Sequence, residues 1–251
     1  MKSPAEVWAA VESWSPEITY TPDPHGATDS QGRPFMGVNR MIKAYTEPFD
    51  PVRISNMIVA RHFKHLSEEE QEAKAAGYRA DWDNRRQRGI DFSNAMEAAW
   101  KGEPFDPQWQ AHVEDSLSWI QERYPMENVK PEMMLWHTAA RIWGFADVVV
   151  FDGAKVHVYD YKLVKEIRSK GMFGLMMAPP FERFPDANGS HYALQISAYA
   201  YFLELQGYEI GTLAILHVNE LGQAKEIPVP YEREAVEQML YLRIVSLENG
   251  E

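Results

Sequence analysis

Asp147 opens the run "DVVVF", and Asp160 and Lys162 sit near the end of "KVHVYDYKLV", with Asp152-Gly153 between the two runs. Both runs are Val-rich and read as strands of a buried sheet, with the Asp-Gly reversing the chain. A two-residue loop at Asp152-Gly153 sets Asp147 opposite Val158. A four-residue loop through Lys155 sets it opposite Asp160. Either register keeps the two carboxylates on one face, because strand side chains alternate, whereas a three-residue loop separates them. Cross-strand neighbours lie about 4.5 to 8 Å apart. Carboxylates at that distance repel unless a proton or a cation sits between them. Glu132, in "KPEMMLW", adds a third if that run pairs beside the hairpin. Three carboxylates suit a hard cation such as Mg²⁺ or Mn²⁺. With Lys162 beside them to orient water or offset developing charge, the set suits metal-assisted hydrolysis. Asp and Lys two apart at a strand end also describe a solvated edge, so the elements around them carry the decision.

Periodicity supplies those elements. The segment from Glu17 to Tyr45 reads as two short extended pieces around a Gly/Pro/Asp turn, then a helix start near Val38. A charged, mostly helical region follows from about Ile54 to Gly102. Within it, Ser67 and the three Glu after it form a helix N-terminus, the hydroxyl capping free amides and the carboxylates favouring the positive end of the dipole. Trp109, Val113, Leu117 and Ile120 recur at helical spacing. Four short apolar runs read as strands: "VKPEMMLWHT", "GFADVVVF", "KVHVYDYKLV" and "TLAILHVN". Between the third and fourth, Leu194, Ala198, Tyr201 and Leu205 give a helix an apolar stripe. A last helix spans roughly Arg233 to Leu247. The order from Pro107 is helix, three strands, helix, strand, helix, which predicts an α/β core. A long Gly/Met/Pro loop, "SKGMFGLMMAPPFERFPDANG", interrupts it and reads as a lid or a disordered segment. Residues 1–104 are expected to be a hairpin and helical elaboration packed on a core of residues 105–251, the whole forming one compact domain.

In order, Glu132, Gly144-Phe145-Ala146-Asp147, Asp160-Tyr161-Lys162 and Gln195 with Tyr199 in "QISAY" give the pattern Glu, G-x-x-D, D-Y-K, Q-x-x-x-Y. With strand, strand, strand and helix beneath it, this resembles the PD-(D/E)xK nuclease superfamily, in its RecB-like exonuclease branch. The resemblance covers roughly Pro107 to Asn219 and implies a core of helix, three strands, helix and strand. It further implies that Asp147, Asp160, Glu132 and the Tyr161 carbonyl hold Mg²⁺ or Mn²⁺, that Lys162 is the catalytic lysine, and that Gln195 and Tyr199 line the site from one helix face. The branch often carries G-T-x-x-H on an earlier helix. Here "RGIDFSNAME" offers Gly89 but puts Ser93 at the His position, with Asp91 or Glu97 as the nearby substitutes. The chain has no Cys among its 251 residues, which excludes a Cys-ligated iron–sulfur cluster and disulfides alike. The cluster-free, phage-type exonucleases are therefore the nearer comparison.

The resemblance implies a metal-dependent deoxyribonuclease, an exonuclease acting on single strands or DNA ends in replication, recombination or repair. A structure-specific endonuclease, or a non-catalytic DNA-binding or scaffolding module on the same fold, are the alternatives. Its implied partners are DNA and, by analogy, a helicase, recombinase or single-strand-binding protein. The net charge of −12 argues against coating nucleic acid by bulk electrostatics and leaves room for a local basic groove. Two clusters could form one: Lys165, Arg168 and Lys170 just after the catalytic strand, and Arg85, Arg86 and Arg88 in the helical region. Trp82, Trp100, Phe173 and Tyr192 could stack on unpaired bases. No apolar run reaches the roughly 20 residues a membrane span needs, and the N-terminus lacks the apolar stretch of a signal peptide. The chain is expected to be intracellular with no membrane partner, and the resemblance to phage-type exonucleases implies a phage-encoded protein acting in a bacterial host.

Overall fold

The computed structural model describes residues 18–22 and 25–250. Ile18–Pro22 (β1) and His25–Asp29 (β2) form an antiparallel hairpin, and Met36–Gly37 (β3) leads directly into helix Val38–Lys43 (α1). Pro51–His62 (α2) starts where Asp50 accepts hydrogen bonds from the Val52 and Arg53 amides. Glu68–Lys101 (α3) begins with a full capping box between Ser67 and Glu70, and ends at Gly102, whose φ of +69° suits the left-handed C-cap. Gln110–Gln121 (α4) precedes three long strands, Val129–His137 (β4), Ile142–Asp152 (β5) and Lys155–Leu163 (β6). Asn188–Glu204 (α5), Glu209–Val218 (β7), Ala224–Pro228 (β8) and Arg233–Glu248 (α6) complete the chain.

The result is a mixed α/β fold. One six-stranded sheet runs β3, β5, β6, β7, β8, with β4 also paired to β5. β6 and β7 are parallel, joined across the sheet by α5; β4, β5 and β6 form an antiparallel meander. Two apolar layers sandwich the sheet. Leu194, Ile196 and Phe202 of α5, Val236 and Met239 of α6 and Ile42 of α1 bury one face. Phe92 and Met96 of α3 with Trp109, Val113 and Ile120 bury the other. Each fully buried side chain of this kind contributes about 1.5–3 kcal/mol. Among the described residues no helix is long and apolar enough to cross a membrane.

Two sequence expectations, the strand count and the state of the Gly/Met/Pro loop, need correction. Beyond the four strands read from periodicity, β3 and β8 join the sheet. β3 is two residues long, and β8 is a half-exposed edge ending in Pro228, so neither carries a clear period. Through β3 and α1, the segment before residue 105 supplies part of the central sheet and its apolar layer. The Gly/Met/Pro loop, expected to be a lid or disordered, is packed: Met177, Phe181 and Phe184 are buried in the α5 layer, and Ala178 donates its amide to the Tyr45 carbonyl. The expectation of no signal peptide rests on residues outside the described ones.

Candidate active site

The hairpin register decides how the acidic residues meet. Asp152 pairs with Lys155 and Val148 with Tyr159, so the turn is Gly153-Ala154, with Gly153 at φ +63°. Extended by one pair, this register sets Asp147 opposite Asp160, the arrangement of the longer loop. The ladder stops one pair short of that position, because β5 changes partner. Its first residues, Ile142 and Trp143, run beside Met36 and Gly37 of β3 on the edge that β6 takes further along.

The alternation of faces also flips there. Ile142 and Ala146 point into the α5 layer, yet so do Val149 and Phe151, while Val148 and Val150 face α3 and α4. β4 flips in step, with Val129 facing α3 and α4 but Met133 and Leu135 facing α5. Residues 131–148 and 133–146 are paired, which puts Glu132 across from Asp147 at the flip. Glu132 has φ +46°. A non-glycine residue held in the left-handed region costs about 1–3 kcal/mol, and such strain concentrates at functional positions.

Where β5 leaves β6, a side chain takes over from the backbone ladder: Asp147 Oδ2 accepts the Tyr161 amide at 2.8 Å. Asp160 is 1% exposed. Its Oδ1 accepts from Gln195 Nε2 at 3.2 Å, and its Oδ2 lies against the Lys162 ammonium. Gln195 Nε2 also reaches Tyr199 Oη at 3.4 Å, so one turn of α5 holds both residues over the strand ends. Tyr199 in turn explains the glycine of G-x-x-D. A Cβ on Gly144 would sit 2.7 Å from Tyr199 Oη, so only glycine lets the ring lie flat on β5. Lys162 Nζ stands 5.0 Å from the centre of the Tyr192 ring, and this cation–π contact adds to its fixation.

The charges are strongly perturbed. Burial, then the neighbouring Glu97 and Asp160 charges, push the Glu132 carboxyl up to about 7. Burial and then Asp160 raise Asp147 well above the usual carboxylate range, although Lys162 and the Tyr161 amide pull the other way. Burial disfavours the Lys162 ammonium, but Asp160 and Asp147 more than offset this and hold it charged beyond the ordinary lysine range. Tyr199 is raised chiefly by burial and stays a phenol.

All six residues named from sequence as catalytic, Glu132, Asp147, Asp160, Lys162, Gln195 and Tyr199, are thus gathered at one end of the sheet, with the Tyr161 backbone among them. Among the described residues no three His, Asp or Glu side chains are already arranged as a metal-binding group. The carboxylates are instead tied to the Tyr161 amide, Gln195 and Lys162. The donor set itself fits a hard cation: carboxylates crowded at one strand end, two of them, Glu132 and Asp147, with protonation forced upward by burial and by neighbouring carboxylates, would be relieved by a positive ion.

On α3, Glu97 is the substitute that faces the site, since its charge acts on Glu132, while Asp91 is engaged by Gln87 at 2.8 Å and Ser93 is exposed. Lys101, salt-bridged to Glu97 at 2.5 Å, was not singled out from sequence. Its signal was present as the Glu97/Lys101 i,i+4 pair in the last turn of α3.

The two basic clusters converge. Arg85, Arg86 and Arg88 of α3 and Lys165 and Arg168 after β6 line a single cleft of about 420 Å³ that also takes in Leu163, the residue following Lys162. Lys170 is exposed and lies outside it. Trp100 sits against Tyr161 beneath the site rather than at its surface.

No protein-family model and no curated protein matches the chain. A solved structure described as "Putative exonuclease" from Eubacterium rectale superimposes with TM-score 0.39 at 12% identity, covering 86% of this chain and 82% of that one. A likeness that loose does not define a shared fold.

Proposed function

We propose that the protein is a metal-dependent nuclease of the PD-(D/E)xK type that hydrolyses DNA phosphodiester bonds, working as an exonuclease on single strands or DNA ends. The observation that carries this reading is the meeting of Glu132, Asp147, Asp160 and Lys162 under Gln195 and Tyr199, at the head of a basic cleft. Glu132, Asp147, Asp160 and the Tyr161 carbonyl would hold Mg²⁺ or Mn²⁺, which would polarise a phosphoryl oxygen and acidify a water. The carbonyl is on the right side for this. A strand residue directs its N–H and C=O toward one neighbour, and the Tyr161 amide already bonds Asp147.

The chain's own groups divide the remaining work. Lys162 is held protonated by the carboxylates around it, so it acts as a donor and a positive charge toward the scissile phosphate, not as a proton acceptor. Gln195 fixes the rotamer of Asp160, and Tyr199 fixes Gln195. Arg85, Arg86, Arg88, Lys165 and Arg168 offer phosphate contacts leading away from Lys162.

The test is a time course on end-labelled and circular DNA, single- and double-stranded, with Mg²⁺, Mn²⁺ or EDTA. Degradation of linear but not circular DNA, abolished by EDTA and by Lys162→Ala and Asp160→Asn, is expected. Cutting of circles would make the enzyme an endonuclease. Cleavage that survives both substitutions would remove these residues from the mechanism, and no cleavage at all would leave a binding module on this fold.

A further inference from the structure

The basic cleft does not end at Arg168. Arg168 and Asn188 also line a second groove, of about 580 Å³, between α2 and the packed Gly/Met/Pro loop. Across the two grooves seven Lys and Arg face four Asp and Glu, whereas the whole chain carries 25 against 37. Along this path the charge balance is the reverse of the chain's as a whole. Two of the acids in the second groove are engaged within the protein, Glu47 by Arg53 at 3.0 Å and Asp186 by His191 at 2.9 Å and the Glu47 amide. Arg168 and Lys43 have no ion pair among the described residues.

The second groove also holds aromatic rings at the surface. Phe173 is 51% exposed and Phe49 57% exposed. Phe49 meets Trp82, which lines the first cleft, edge to face at 5.2 Å. Phe173 is held out at a cost. Its φ is +57°, a region where a bulky side chain is a true outlier. The loop forces this: Gly171 is pressed so near the Leu175 carbonyl that a Cβ there would stand 2.0 Å from the oxygen, and Met177, Phe181 and Phe184 anchor the following residues in the core. Strain of about 1–3 kcal/mol is thus maintained to present an apolar ring to solvent beside unpaired cations. Phosphates on cationic side chains with bases on aromatic faces is the recognition chemistry of unpaired strands, since a duplex keeps its base faces stacked inside.

We infer that the second groove receives an unpaired strand running from the active site, with Phe173 as its principal base-stacking platform and Phe49 as a second. The inference takes its ligand class, nucleic acid, from the nuclease reading above. It adds the residues that make the ligand single-stranded.

The test is fluorescence anisotropy in EDTA, where no cleavage occurs, using a labelled oligothymidylate, an abasic strand of equal length and a duplex. Phe173→Ala should weaken oligothymidylate binding by about 5- to 150-fold, the worth of one aromatic–base stack. Abasic strand and duplex should change by less than about twofold, since they offer charge but no free base. Phe173→Trp should restore the affinity. Phe173→Gly should raise Tm by relieving the backbone while binding oligothymidylate as poorly as the alanine variant, which separates recognition from folding. Equal losses on all three ligands, no loss on any, or a wild-type protein that does not bind oligothymidylate would each overturn the inference. Because binding and cleavage are read separately, unchanged binding by Phe173→Ala beside a Lys162-dependent nuclease sinks only the inference. A stacking effect in a protein that cleaves nothing sinks only the enzyme.

Discussion

The acidic cluster and the basic cleft adjoin at the end of β6, at the successive residues Lys162 and Leu163, yet they handle charge in opposite ways. Asp160 is buried and Glu132 and Asp147 are half-buried, gathered around the Lys162 side of the site, and desolvation and repulsion raise the protonation of Glu132 and Asp147. The bases are exposed on a helix face and a loop, and several are loosely paired along their own helix, as Arg85 is to Asp81 at 2.8 Å. A buried charge is expensive and must be held by specific partners, so each of those residues carries a large share of its site. An exposed charge is screened, so the cleft works by sum and no member is decisive.

The largest contrast is in catalysis. Lys162→Ala or Asp160→Asn should cut DNA cleavage by about 10²–10³-fold or more in end-labelled assays, the scale of losing one buried charge-stabilising group. Activity within tenfold of wild type would erase the distinction between the regions.

Stability should separate them next. Lys162→Met strands Asp160 as a buried carboxylate whose Oδ2 has lost its cation, and should cost about 3–5 kcal/mol in denaturant unfolding with EDTA. Asp147→Asn should do the reverse. It removes a repelling charge while its amide oxygen can still accept the Tyr161 N–H, so the metal-free protein should gain stability while cleavage is lost. Gly144→Ala should cost about 1–3 kcal/mol through its clash with Tyr199.

A pH titration sharpens the same point. In EDTA, stability should fall as pH rises from about 4.5 to about 7, because the unfolded chain releases the Glu132 proton first while the folded chain keeps it to about 7. Stability present below the ordinary carboxylate range is lost as pH climbs through the raised value. Glu132→Gln should flatten that slope in thermal melts, and added Mn²⁺ should raise Tm more at pH 8 than at pH 5. A Tm that rises with pH across this window would contradict the buried, repelling acids.

Smallest are the cleft residues. Replacing Arg85, Arg86, Arg88, Lys165 or Arg168 singly by Ala should shift stability by no more than about 0.5 kcal/mol. Each should lower DNA affinity a few-fold and reduce the salt slope of log K by about 0.7–0.9. A single substitution that abolished binding would make the cleft as site-like as the acids.

What could be read beforehand divides along the same line. Glu132, Asp147, Asp160 and Lys162 stood out as candidates because they are charges set in apolar strand runs, while Gln195 and Tyr199 entered only through the resemblance to the nuclease pattern. The helix start at Ser67 was legible because a cap depends on residues within one turn. Lys101 was not singled out, since an i,i+4 pair with Glu97 looks like any solvated helix face. The loop around Phe173 misled because Gly, Met and Pro mark irregular backbone, and irregular backbone can be packed as firmly as a helix once Met177, Phe181 and Phe184 find the core.

The sequence by itself determined the four long strands and the helices between and after them, the order of the candidate site residues and the absence of Cys chemistry, because these depend on residue types and on neighbours a few positions apart. Only the tertiary structure decided that β5 switches from β3 to β6 at Asp147, that Glu132 lies strained across from it, and that Gly144 must be glycine because Tyr199 covers it. It also decided that arginines from α3 and cations after β6 share one cleft. Each of these joins residues tens of positions apart, and the burial that displaces the site's protonation exists only once the layers close over the sheet.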